Sequence, residues 1–291
     1  MKIMKKVVIT IFKYFGYTIS KKIYSRPIDL SDLSNNPKAL PYYTSVNRQI
    51  LINTTLDKGR GLEIFSLSKD SCHPFIVAVQ YALKKGEYKK SLKEKLSKYY
   101  DLVQPKNSAE WLGFHKNEVP LLDNSAPWLS LLPWENISIK GKKEGRKVCA
   151  LSDNTEHGSA LNISHGWRNF GPVSDEIIDL EVSRLFNLMI SIEKNGVLRD
   201  DSIGGDVGAI VLTKDEVDYR WVVEWGGQHR AAVISAMGYD DITIRVWQVV
   251  ERKDVDLWPN VQSGLYSKEM ALKIFDKIYD GNSPNIIENG Y

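Results

Sequence analysis

Apolar and polar positions alternate over residues 219–225 and again over residues 242–246, which predicts two β-strands. Between them, apolar residues recur at helical spacing at positions 232, 233, 236 and 237, which predicts a short helix. Gly226 and Gly227 precede this helix and permit a sharp turn, and Gly238 stands where a helix commonly ends. The pattern therefore predicts a strand, a glycine turn, a helix and a second strand in direct succession.

Longer helical periodicities surround this unit. Residues 174–194 carry an apolar stripe that follows a capping serine, and further helices are predicted over residues 74–85, 87–103 and 267–279. Short strands fit residues 50–52, 61–65 and 209–213, and residues 126–172 are predicted to form a polar and aromatic connection. The predicted fold class is α/β (α+β), with a small mixed sheet, surrounding helices and a mainly helical N-terminal region.

The glycine turn is the part of the chain that points to chemistry. A helix N-terminus presents unpaired amide groups and the positive end of the helix dipole, which together favour an anion. The candidate phosphate-binding residues are those of the turn and of the first helical residues: Gly226, Gly227, Gln228, His229 and Arg230. Two glycines let the backbone approach a ligand closely, and arginine matches phosphate geometry. The alternative is that the glycines only make a tight turn and Arg230 forms a surface ion pair.

The stretch WGGQHRAA resembles the ParB/sulfiredoxin superfamily, whose signature is a D-G-x-H-R or G-G-C-H-R turn at the start of a helix. The similarity extends upstream, where SIEKNGV ends the helix before the strands, and it covers about residues 166–250. The resemblance implies a ParB/sulfiredoxin-like fold that binds the phosphates of ATP or another nucleotide, with Mg²⁺. It also implies that His229 and Arg230 contact those phosphates.

Two departures from that signature narrow the chemistry. Gly226 stands where partition proteins and serine kinases often have Asp, and Gln228 stands where sulfiredoxins have a nucleophilic Cys, so sulfinic acid reduction by the sulfiredoxin route is not expected. A catalytic carboxylate would have to come from Glu224 or from Asp175 and Glu176 at the start of the preceding helix. The alternative for the last two is simple charge compensation at a helix N-terminus.

The segment just before that helix is rich in His, Trp, Arg, Asn and Gly. Such a loop next to the motif suggests that His165, Arg168 and Asn169 shape the substrate side of the nucleotide pocket, although a surface loop with aromatic anchors explains the composition nearly as well. His157 and His165 have no Cys or close acidic pair to complete a metal-ligand set, so no protein metal site is predicted.

Charge and composition limit the classes of partner. The net charge of the 291 residues is +3, but residues 1–26 hold seven basic residues and no acidic one, which leaves −4 for the remainder. A mildly acidic body without a helix-turn-helix makes nucleic acid an unexpected partner. The two cysteines form no disulfide framework, so a reducing, cytoplasmic location is expected.

Four segments are expected: a basic amphipathic segment (1–26), a helical and irregular region (27–165), the motif domain (166–250) and a helical extension (251–291). The first is too short and too interrupted by lysine to span a membrane. It either lies on the anionic inner membrane face or docks on the body. Its FKYFGYTISKK phrase resembles the starts of some bacterial enzymes from surface-polysaccharide gene clusters.

Two functions follow from the sequence. The first is a nucleotide-binding phosphotransferase that acts on a hydroxyl of a small molecule or sugar, in the manner of a kinase. The alternative is a ParB-like nucleotide-responsive regulatory or binding module without chemistry of its own.

Overall fold

The computed structural model describes residues 26–43, 49–199 and 206–281. The predicted N-terminal amphipathic segment lies outside these ranges, apart from Arg26. The described residues form one seven-stranded mixed sheet, in the order β1-β2-β7-β5-β6-β3-β4. Its strands are β1 (Ile28–Asp29), β2 (Ile50–Thr55), β3 (Gly59–Gly61), β4 (Phe65–Ser66), β5 (Val207–Thr213), β6 (Tyr219–Trp225) and β7 (Asp241–Glu251).

The α-helices include four long ones that the apolar periodicity predicts to within one or two residues. They are α1 (Leu40–Tyr43), α2 (Pro74–Lys85), α3 (Tyr88–Leu102), α4 (Ser108–Trp111), α5 (Pro120–Asp123), α6 (Ile139–Glu156), α7 (Asp175–Asn195), α8 (Gln228–Ala236), α9 (Pro259–Gln262) and α10 (Lys268–Asp280). The helices predicted over residues 74–85, 87–103, 174–194 and 267–279 are confirmed as α2, α3, α7 and α10.

Strand β5 is the centre of the sheet, and all seven of its residues are buried. It pairs antiparallel with β6, where Ala209 faces Val223, and parallel with β7, where Ala209 faces Val246. Strand β2 extends the sheet beyond β7, and β3 pairs with β6 on the other side. The sheet thus combines strands from both sides of residue 166, and the mixed α/β character predicted from the sequence is confirmed.

Helices cover both faces of the sheet. Side chains alternate along β6, so Arg220 and Glu224 share one face and Trp221 lies on the other. On the first face, the Arg220 guanidinium lies 4.8 Å from the ring centre of Tyr279 in α10. On the second, α2, α3, α7 and α8 pack against one another, and α8 contacts β3 and β5. The segment between β6 and α8 therefore passes from one layer of the fold to the next.

Helix α6 occupies part of the segment that the sequence predicts as a connection. Its 18 residues include Gly141 and Gly145, and most of its side chains are exposed. Because the few buried positions include Lys142 and Asn154 rather than an apolar stripe, hydrophobic periodicity gives no signal for this helix. Within the described ranges, none of the helices has the length and apolar character that a transmembrane segment needs.

Candidate functional site

The glycine turn joins β6 to α8 through two residues in the left-handed region, Gly226 at φ 72° and Gly227 at φ 84°. A side chain at Gly226 would meet open space, whereas a Cβ at Gly227 would lie 2.7 Å from Cγ2 of Val207 in β5. Gly227 is the N-cap of α8, and no side chain caps the helix from that position. Helix geometry leaves the amides of Gln228, His229 and Arg230 without intrahelical acceptors, so this turn is suited to an anion.

Both ends of the Gln228 side-chain amide form hydrogen bonds with the backbone of other segments. Its Oε1 accepts a hydrogen bond from the Leu62 amide at 2.9 Å, and its Nε2 donates to the Val223 carbonyl at 3.2 Å. Leu62 and Glu63 both have positive φ, at 47° and 76°. Gln228 therefore ties α8 to β6 and to an unusual backbone turn next to Glu63.

His229 points between the helices. Its Nε2 contacts Oε2 of Glu181 in α7, and its ring stacks on Phe75 of α2, with centroids 4.9 Å apart and planes 12° apart. The Glu181 side chain is only 1% exposed. Burial would raise the pKa of Glu181, but His229 and Arg184 outweigh that effect and hold its pKa below the ordinary value. Glu181 is thus an ionised, buried partner of His229.

The pair belongs to a longer ion-pair chain that runs from His229 through Glu181, Arg184 and Asp153 to Arg168. Arg184 contacts Glu181 on its own helix and the Asp153 carboxylate of α6, the latter at 3.2 Å. Arg168 contacts the same Asp153 carboxylate. The structure therefore brings predicted His229 and predicted Arg168 into one network.

Sequence reasoning missed Glu181, Arg184 and Asp153. A signal for Glu181 was present, because Ile177, Glu181 and Leu185 follow one another at intervals of four on the buried stripe of α7. A carboxylate at such a position normally has a charged partner, and here it has two.

Arg230 points elsewhere. It is half-buried and lines a groove of about 280 Å³ together with Arg199 and Asp206. Other polar walls of this Arg230 groove are Asn53, Asp241 and Thr243. Within the described part of the chain, Arg230 has no ion-pair or hydrogen-bond partner, although Asp206 contacts Arg245 at 3.0 Å and Arg199 at 3.5 Å. Among the described residues, Arg230 therefore presents to the groove a positive charge without an ion-pair partner.

Glu224 lines a second cavity, of about 540 Å³, with Trp134, Glu135, Trp247 and Asp254 among its walls. The Glu224 side chain is exposed at this Glu224 cavity. Partial desolvation by the surrounding protein, aided by the negative charge of Glu135, raises the pKa of Glu224 to about 7. A carboxyl group with such a pKa can exchange a proton at neutral pH.

Two cations of α6 lie near Glu224 and oppose the rise of its pKa. Both already have carboxylate partners: Lys142 Nζ lies 2.5 Å from Glu135, and an Arg146 Nη atom lies 2.6 Å from Glu63. Glu63 also accepts a 2.8 Å hydrogen bond from the indole of Trp111. Among the described residues, Glu224 is left as the carboxylate of this cluster without an ion-pair partner.

The remaining predicted residues lie at the other end of α7. Asp175 and Glu176 are exposed on its first turn, and the Ser174 hydroxyl lowers the pKa of Glu176. The His165 carbonyl accepts the Ser174 amide at 2.7 Å, so this histidine lies beside the same helix end. Glu176 precedes Glu181 by five residues, roughly 7.5 Å along the helix axis. Asp175 and Glu176 thus lie more than one helical turn away from Glu181, the residue of α7 that contacts His229.

Asn169 is 5% exposed, and its carbonyl accepts a hydrogen bond from the Tyr99 hydroxyl at 2.5 Å.

The described ranges hold no cluster of three or more His, Cys, Asp or Glu side chains that suits a metal ion. Comparison with protein-family models, curated proteins and solved structures finds no match for the chain. Its candidate chemistry therefore rests on the residues around the glycine turn.

Proposed function

We propose that the protein binds a nucleotide at the glycine turn and transfers its terminal phosphate to a hydroxyl group. One observation carries the proposal: the chain from Glu224 to Arg230 joins two cavities. Within the described ranges, the carboxyl group in one and the guanidinium in the other have no ion-pair partner. The anion-favouring start of α8 lies between them in the chain. Phosphoryl transfer requires a site for phosphates and a site for an acceptor, and this segment supplies a candidate residue for each.

On the nucleotide side, the α8 amides and Arg230 would hold the phosphates of ATP or a related nucleotide. Two carboxylates line the Arg230 groove, Asp206 and Asp241, and the charge of Asp206 is already matched by Arg245 and Arg199. Mg²⁺ would be held by phosphate oxygens, as it often is in such sites, with Asp241 as the protein carboxylate nearest to hand. This assignment includes the finer fold proposal, in which α7, β5, β6, α8 and β7 form a ParB/sulfiredoxin-like core.

On the acceptor side, Glu224 would be the general base. The acceptor oxygen attacks the terminal phosphorus, the bond to the bridging oxygen breaks, the nucleoside diphosphate leaves, and the hydroxyl proton passes to Glu224. Glu224 is a better candidate than Asp175 or Glu176, because it adjoins the turn and its pKa is raised to about 7. The tryptophan and carboxylate walls of the cavity suit a polar small molecule or a sugar.

A nucleotide-responsive module without chemistry is the second candidate. The observation that favours it is the contact between His229 and Glu181. The resemblance assigns this histidine to phosphate contact, and a histidine already held by a buried carboxylate is not available for that role. In both cases we propose a cytoplasmic protein with a small-molecule partner and no nucleic acid, which contacts the inner membrane face through residues 1–26. Liposome flotation with and without these residues tests the membrane contact. Equal flotation would refute it.

The central test is a thermal shift series with ATP, ADP, CTP and GTP in the presence of Mg²⁺. At least one nucleotide should raise Tm, and Arg230→Ala should remove the rise. Arg252→Ala is the matched control, because Arg252 pairs with Asp276 outside the groove. If no nucleotide shifts Tm, or if both variants respond equally, nucleotide binding at this turn is refuted.

Release of the nucleoside diphosphate in the presence of candidate hydroxyl compounds then separates the two functions. The phosphotransferase proposal expects release that Glu224→Gln abolishes while the nucleotide-induced Tm shift persists. Binding without release from any acceptor supports the regulatory module.

A further inference from the structure

Helix α6 contacts the rest of the protein mainly through polar side chains. Lys142, Arg146, Asp153 and Asn154 form its inward stripe with Ala150, and their partners are the charged and amide groups around them. Val148 and Leu151, which an apolar interface would bury, are 65% and 44% exposed. Ion pairs and hydrogen bonds, rather than buried apolar area, therefore hold α6 in place. A helix docked in this way is sensitive to the positions of its partners.

The C-terminal end of α6 is held by Arg184 of α7. One guanidinium nitrogen donates to the Asp153 carbonyl at 3.0 Å and lies 3.1 Å from Nδ1 of His157, the residue after the helix. A cation at this position complements the negative end of the helix dipole. The same guanidinium contacts Glu181, whose other oxygen contacts His229 in the first turn of α8.

The N-terminal half of α6 has a second route to the same turn. Arg146 pairs with Glu63, and the preceding residue, Leu62, donates its amide to Gln228. Gln228 and His229 are consecutive residues of α8. Two adjacent side chains at the glycine turn thus support the partners of both halves of α6.

We propose that the docking of α6 is set by the first turn of α8, with Glu181 as the positioning residue that links His229 to Arg184. This step rests on the proposed function above: an anion bound at the turn competes with Glu181 for His229. Glu181 is then no longer held in place, Arg184 loses its orienting partner, and the Arg184 bonds to the α6 terminus weaken. Occupancy of the turn therefore loosens the C-terminal end of α6, which Arg184 holds.

Amide hydrogen exchange over residues 147–156 tests this coupling in the full chain. His229→Ala should speed exchange there by about tenfold or more, corresponding to the loss of one charged contact. Arg230→Ala is the matched control, because it removes a cationic side chain from the same helical turn without disturbing the ion-pair chain. It should change the exchange rate less than twofold. Helix α10, which packs on the other face of the sheet, should keep its exchange rate in both variants.

A second pair of variants guards against simple loss of the fold. Glu181→Gln removes the anion that orients Arg184 and should speed exchange in α6, whereas Asp179→Asn, on the same helix, breaks only an exposed pair with Lys93 and should not. Equal acceleration in α6 and α10, or no difference within either pair, would overturn the coupling.

MgATP gives the ligand arm of the experiment. Faster exchange in α6 on ATP binding supports the proposal, and an ATP-induced Tm shift with unchanged α6 exchange overturns it while leaving nucleotide binding intact. If none of ATP, ADP, CTP and GTP binds, the nucleotide function fails, and the two variant pairs alone decide whether α8 controls α6.

Discussion

Substitution of the two turn glycines separates backbone conformation from close packing. Gly226 and Gly227 have similar positive φ values, 72° and 84°, so alanine at either position incurs a left-handed backbone cost of roughly 1 kcal/mol. Only Gly227 adds a collision, because its Cβ would lie 2.7 Å from Cγ2 and 2.9 Å from Cα of Val207. Relief of that overlap requires movement of buried β5 and costs about 1–3 kcal/mol more. We therefore expect Gly226→Ala to cost about 1 kcal/mol and Gly227→Ala about 2–4 kcal/mol.

Urea denaturation at neutral pH measures both free energies of unfolding on one scale. The expected signature is a difference of at least about 1 kcal/mol between the variants, with Gly227→Ala the less stable. A thermal shift with MgATP extends the comparison to the site, since displacement of the α8 start should weaken nucleotide binding in Gly227→Ala. Equal destabilisation by the two alanines would refute the close approach of the turn to β5, and with it our account of why glycine is required there.

Three further predictions concern titration and buried partners. Burial and nearby His229 lower the pKa of His73 to about 3, so its contribution to stability is lost as pH falls below 6.5. Between pH 6.5 and 5, the wild type should lose about 2 kcal/mol of unfolding free energy relative to His73→Asn, as measured by urea denaturation. The raised pKa of Glu224 acts in the opposite sense, with stability lost as pH rises from about 4.5 through 7. Because this side chain contacts solvent, Glu224→Gln should gain no more than about 1 kcal/mol at pH 8 and nothing at pH 4.5. Trp111→Phe removes the indole donor to Glu63 and should cost about 1–2 kcal/mol, while the exposed control Trp247→Phe should cost less than about 0.5 kcal/mol.

The sequence predicts those parts of the fold whose buried faces are apolar. Helices α2, α3, α7 and α10 and strands β5 to β7 have regular apolar spacing, and the structure confirms them. Helix α6 escapes prediction because Lys142 and Arg146 take positions that an apolar stripe would normally occupy. Hydrophobic periodicity measures burial of apolar groups, so a helix docked through charges gives little signal.

The candidate site shows the same division. The local geometry of the glycine turn follows from its own sequence, because paired glycines before a helical pattern permit few alternatives. The partners of the turn come from distant segments: Leu62 for Gln228, and Glu181 for His229. Such contacts depend on how layers of the fold meet, which spacing along the chain does not determine. Only the charged residue within the α7 stripe gave an indication that a buried partner was needed.

The engagement of Gln228 and His229 changes what the G-G-x-H-R turn can do at the start of binding. In the described structure, the groups at hand for an anion are the α8 amides and Arg230, since His229 already serves a buried carboxylate. A ligand that recruits His229 must leave the 1% exposed Glu181 with Arg184 as its remaining contact, which carries a free-energy cost. That cost weakens binding and, by linkage, is transmitted to whatever Arg184 holds. Arg184 holds the end of α6. Under the function we propose, the same contact that limits affinity at the turn would therefore give a bound nucleotide control over the end of this helix.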